Sequence, residues 1–193
     1  LDTLSAQGAT TISNGLSLSQ ALLGQAWSLR DLGRPENALA SAAQAVALAS
    51  DHTAPVTLTY ALLELAQARM ALARTDSDRL EAEAAFREMA VAARASGKTA
   101  AIHEAAIGLG AVAFQRGRFN EAQSRIASAL EHLPTVAADA WAAPIQAYVV
   151  CVKILQATRD PQACSVLARG RRLLDSLAQQ IADALDRVDL QAE

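Results

Sequence analysis

A chain of 193 residues with 52% hydrophobic and 19% charged residues is too apolar for a disordered segment and long enough to bury a sizeable core. A formal net charge of −3 offers no basic face for nucleic acid, and two cysteines are too few for a disulfide framework or a metal site. Alanine supplies roughly a quarter of the residues and aromatics only 4%, a helix-forming composition without β-branched alternation. An all-α fold is therefore expected. No uncharged apolar run reaches the about 18 residues that a membrane helix needs. The opening LDTLSAQG, without a methionine, reads as a piece of a longer protein.

In chain order, Asp2–Gln7 predicts a short helix ending at Gly8, and Ser13-Asn14-Gly15 predicts a turn with Ser17 as N-cap. Leu16–Leu32 then reads as a helix stopped by Gly33. Pro35 starts a second helix to about Ala49, with Ala38, Leu39, Ala42, Ala45, Val46 and Ala49 as its core stripe. Thr53 caps a helix over about 54–73. A polar linker, RTDSD, leads to a helix over about 77–95 that ends at Gly97. In that helix Ala85, Met89 and Ala92 mark the core face, and Glu81, Glu83, Arg87 and Glu88 the solvent face. A third pair covers about 99–116 and 119–132, with Gly117 between and Pro134 closing it. A fourth covers about 136–158, kinked or started at Pro144, and a helix capped by Asp160 that runs to about 186. The hairpins thus occupy about 16–50, 53–97, 98–134 and 136–187 of a single domain over 1–193.

One spacing occurs twice. Ala26, Gly33, Ala38 and Ala45 are repeated, at the same intervals, by Gly110, Gly117, Ala122 and Ala129. Small residues across a helix, a turn and a second helix mark a helical-hairpin repeat, because a larger side chain where two helices cross forces their axes apart. The pattern resembles the tetratricopeptide repeat family, whose hairpin is 34 residues long. The third hairpin matches it through Pro134. The first has Ser50 in place of the closing Pro. The second carries about seven extra residues between its helices and Arg69 at an aromatic position. The fourth matches loosely, through Cys151, Ala163 and Gly170. The resemblance implies a right-handed superhelix of about four antiparallel hairpins. The segment from ALEHLP to LLDSLAQQIAD is also similar to C-terminal repeat regions of large bacterial signal-transduction proteins, among them multidomain transcriptional activators.

By that resemblance the inner face of the superhelix maps to Gln20, Leu23, Trp27 and Arg30, then Tyr60, Leu63, Gln67 and Met70. It continues through Ile107, Ala111, Phe114 and Gln115, and then Tyr148, Val152 and Leu155. Trp27, Arg30, Tyr60, Met70, Phe114 and Tyr148 are the candidate groove residues, since aromatic anchors among adaptable neighbours suit a peptide or a small effector. The competing reading is that the rings fill the core between repeats. No dense ring of Lys, Arg and Asn accompanies them, which disfavours a clamp for a peptide carboxylate.

Other constellations favour a structural reading. His52, His103 and His132 lack metal-ligand spacing and read as surface or turn residues, even with Glu104 and Glu131 nearby. The GLG at 108–110 falls inside a helix and is no phosphate loop. Arg169, Arg171 and Arg172 spread around a solvated helix, and Cys151 and Cys164, both in apolar surroundings, read as buried thiols. The expected function is a non-catalytic scaffold for a protein or peptide, including another domain of the same chain, in a bacterial regulatory protein of the cytoplasm. No cofactor, metal, nucleic acid or membrane is expected. The alternative is a small-effector sensor domain of a transcriptional regulator. Apolar ends of such an array would also suit a homodimer.

Overall fold

In a computed structural model the backbone is described over residues 2–51, 54–133 and 141–189, and the side chains over 15–51, 54–133 and 141–185. These residues form eight helices and no strand: α1 (Asp2–Asp31), α2 (Pro35–Asp51), α3 (Pro55–Leu72), α4 (Asp76–Ala95), α5 (Thr99–Gln115), α6 (Phe119–His132), α7 (Pro144–Ala157) and α8 (Ala163–Asp189). Consecutive helices pack as pairs, and the odd helices also touch one another, α1 on α3, α3 on α5 and α5 on α7. The odd helices therefore share one side of the array.

Local chemistry accounts for the connections. Gly33, Gly97 and Gly117 have φ of 70°, 67° and 73°, a left-handed conformation that costs glycine no Cβ clash. At each one the chain closes with the same two bonds, as in Gly117 N to Phe114 O at 3.0 Å and Arg118 N to Ala113 O at 2.9 Å. Pro35 opens α2 as expected. Thr75 caps α4 with a capping box in which its hydroxyl accepts from Asp78 N and the Asp78 carboxylate accepts from Thr75 N.

The small residues of the repeated spacing are the packing residues. Ala26, Ala45, Ala122 and Ala129 have no exposed surface and Ala38 is 1% exposed. A Cβ on Gly110 would stand 2.8 Å from the Ile126 side chain, so α5 and α6 meet at the distance that a hydrogen allows. The core falls into two clusters that share α5. Ala101, Ala105 and Val112 pack with α1–α4, and Ile107 and Ala113 pack with α6–α8.

Several expectations are corrected. Helix α1 is continuous from Asp2 to Asp31, so there is no turn at 13–15 and Ser17 lies within the helix; an interior glycine costs about 1 kcal/mol, too little to break a helix. The α3–α4 connection is residues 73–75, as short as 32–34 and 116–118, and the extra residues lengthen α4 to 20 residues. Helix α7 starts at Pro144, and α8 starts at Ala163 rather than at Asp160. The Asp160 carboxylate caps the preceding turn instead, accepting from Gln162 N at 2.8 Å and from Gln123 Nε2 at 2.6 Å. Cys164 is exposed, whereas Cys151 is buried. The GLG sits inside α5 and Arg169, Arg171 and Arg172 are exposed, as expected. Thr53, His52 and Pro134 lie outside the described residues.

Candidate functional site

The odd helices enclose a cleft of about 320 Å³. Helix α5 forms its floor through Glu104, Ile107, Gly108, Ala111 and Gln115, positions three and four apart that share one helix face. From Glu104 to Gln115 the floor runs about 16 Å at the helical rise. Helix α3 contributes Leu63, Gln67, Met70 and Ala71 to one wall. The α7 side contributes Ala143, Gln146, Ala147 and Val150, and Arg30 and Phe86 complete the lining. Gly108 is there for Phe86: a Cβ at 108 would stand 2.2–2.5 Å from the ring.

The α1 side of the cleft carries a buried ion pair. Arg30 Nη1 donates to Glu64 Oε1 at 2.7 Å and Oε2 at 2.9 Å, and also to Gln67 Oε1. Trp27 stands close enough to the same carboxylate to lower its pKa, and Asp31 meets the other side of the guanidinium at 3.2–3.3 Å. Glu64 is 1% exposed. Burial pushes its carboxyl up to about 7 against the lowering by Arg30 and Trp27. The Arg30 guanidinium is thus neutralised within the protein.

Glu104 is held differently. Its Oε1 accepts from Ala142 N at 2.6 Å and Ala143 N at 3.0 Å, at the entry to α7. Its Oε2 is buried without a hydrogen-bond partner. Burial pushes this carboxyl up to about 7, outweighing the two amides that lower it. Tyr60 stands near enough that its phenol is raised, first by burial and then by the charge of Glu104.

Of the candidate groove residues, the structure brings Arg30 and Met70 to the cleft, with Trp27 near Glu64 and Tyr60 near Glu104. Phe114 and Tyr148 are elsewhere. Phe114 meets Phe119 edge-on at 5.6 Å and packs against the C-terminal core cluster. Tyr148 is buried under α8, its ring 3.2 Å from where a Cβ on Gly170 would be, and its hydroxyl donates to Leu133 O at 3.3 Å. Leu155 is likewise wholly buried.

Sequence reasoning passed over Glu64 and named Glu104 only as a neighbour of the histidines. Each is the only acid in its helix, PVTLTYALLELAQARMAL and TAAIHEAAIGLGAVAFQ, and a lone acid in so apolar a helix was the available signal. Two further readings are corrected. Glu83 is not on the solvent face: it is 7% exposed and paired with Arg116 at 3.2 Å and Arg87 at 2.5 Å. His103 is no surface residue. It is 8% exposed and stacks on His132 at 4.0 Å, and burial together with His132 lowers its pKa. Among the described residues no three His, Cys, Asp or Glu side chains gather as metal ligands, and no helix is long and apolar enough to cross a membrane. No protein-family model and no curated protein matches the chain, so the cleft's chemistry is read from its own residues.

Proposed function

We propose that the chain is a binding module that holds an extended segment of a partner protein in the cleft of the odd helices. The observation that carries this reading is the cleft's composition: apolar walls with one side-chain amide from each of three successive odd helices, Gln67, Gln115 and Gln146. Carboxamides both donate and accept, which suits the repeating N–H and C=O groups of an extended peptide, although the Gln67 oxygen is taken by Arg30 and only its amide N–H is left to donate. A floor of about 16 Å matches about five extended residues. The resemblance to tetratricopeptide repeats supports the same reading and carries with it a regulatory, cytoplasmic setting.

The test is a selection of phage-displayed 12-residue peptides on the immobilised domain, followed by titration of the enriched peptides. Ala111 lies on the cleft floor and is only half-buried, so Ala111→Trp fills the cleft without entering the core. The variant is expected to weaken the enriched peptides about tenfold or more, the scale set by a central contact of a docking groove. Unchanged binding by Ala111→Trp, with its helical signal intact, would remove the cleft from the account.

A further inference from the structure

Only two charged residues line the cleft among those described, Arg30 and Glu104. Their situations are opposite. Arg30 already meets Glu64, Asp31 and Gln67, so it has little left for a ligand. Glu104 uses one oxygen on the Ala142 and Ala143 amides and leaves Oε2 buried with nothing bound to it. An unpaired buried acceptor is costly, and a donor that reaches it recovers the cost. The acidic groups in and beside the lining, Glu64 with Asp31 and Glu104, also outnumber the single cation among them. The same lining includes Leu63, Met70, Ile107 and Val150, apolar surface of the kind that packs against the methylenes of a long cationic side chain.

Resting on the peptide reading above, we infer that the cleft is selective for a lysine or arginine side chain of the docked segment, whose cationic head pairs with Glu104 and whose stem lies on Met70 and Ile107. Glu104 then has two duties: Oε1 holds the start of α7 in place, and Oε2, covered in the free domain, receives the ligand once the packing over it opens. A cation fits where an anion does not, because an anion would have to displace Glu64 from Arg30 in a cleft whose other charged residue is Glu104.

The experiment uses the peptides enriched on the unaltered domain. Each Lys or Arg in them is replaced in turn by norleucine, which keeps the stem and removes the charge. One such replacement is expected to weaken binding about tenfold or more, in the range of a truncated buried charge pair. Glu104→Gln, whose amide oxygen still accepts from Ala142 and Ala143, is expected to lose the same factor for the parent peptide. For the norleucine peptide it should lose nothing further. Norleucine peptides that bind the unaltered domain as tightly as their parents would overturn the cation assignment while leaving the peptide reading intact. Peptides indifferent to Ala111→Trp, or no enriched peptides at all, would remove the peptide reading and this inference with it. The norleucine arm needs no protein variant, so it decides the matter even if Glu104→Gln unfolds.

Discussion

The ring of Phe86 occupies the space where a side chain at Gly108 would begin, its nearest carbon 2.2 Å from an ideal Cβ on that glycine. Helices α4 and α5 are in register only because residue 108 has no side chain, and both residues line the cleft. Gly108→Ala is therefore expected to destabilise the fold by about 1–3 kcal/mol, the usual cost of overpacking, despite the better helix propensity of alanine. Chemical denaturation measures it. Adding Phe86→Leu should recover part of the loss, because the two sites share one volume.

Arg159 has φ of 55° and closes α7 with the bonds that Gly117 makes after α5: Arg159 N to Gln156 O at 3.1 Å and Asp160 N to Leu155 O at 2.8 Å. It is the only non-glycine residue with positive φ among those described. A Cβ in the left-handed region costs about 1 kcal/mol. Arg159→Gly should thus stabilise the protein by about 0.5–1 kcal/mol, a rise in Tm of about 1–4 °C in a domain of this size. A fall in Tm would mean that the Arg159 side chain supplies more than its backbone costs.

Stability should decline as pH rises from about 5 to about 8. Glu104 has its folded pKa raised from 4.5 to about 7, so the folded state holds a proton that the unfolded chain has released. Its stabilisation is complete below the unfolded value and is lost as pH climbs through the folded one. Glu64 acts in the same direction. His103, whose pKa is lowered, contributes the opposite slope below about 6.5. The difference between the unaltered protein and Glu104→Gln isolates Glu104. Relative to the variant, the unaltered protein should lose about 1–3 kcal/mol between pH 5 and 8 in urea titrations. Parallel curves for the two proteins would contradict the assignment.

The two thiols should differ sharply in reactivity. Cys164 is exposed, whereas Cys151 is wholly buried and its thiol is pushed up to about 12 by burial. A thiolate-trapping reagent at pH 8 should modify one thiol rapidly and leave the other until the protein unfolds. Cys164→Ser should abolish the fast phase alone.

What could be read along the chain was whatever depends on near neighbours. The glycine stops, Pro35 at the start of α2 and the small-residue spacing of Ala26, Ala38, Ala45, Ala122 and Ala129 act within one hairpin, and each performs the expected task. The continuous α1, the short α3–α4 connection and the burial of Tyr148 under Gly170 were not legible, because propensity is weak beside the packing that decides between neighbouring alternatives. The candidate site divides along the same line. Arg30, Gln67 and Met70 follow from their positions on odd helices, whereas Glu64 and Glu104 take their character from partners far along the chain, Arg30 for one and Ala142 with Ala143 for the other. The sequence by itself determined the hairpins, since a turn and a close helix crossing are properties of a few residues and their spacing. Only the tertiary structure decided which acids are buried and which one is left half-satisfied, since burial and charge pairing depend on helices that meet only after folding.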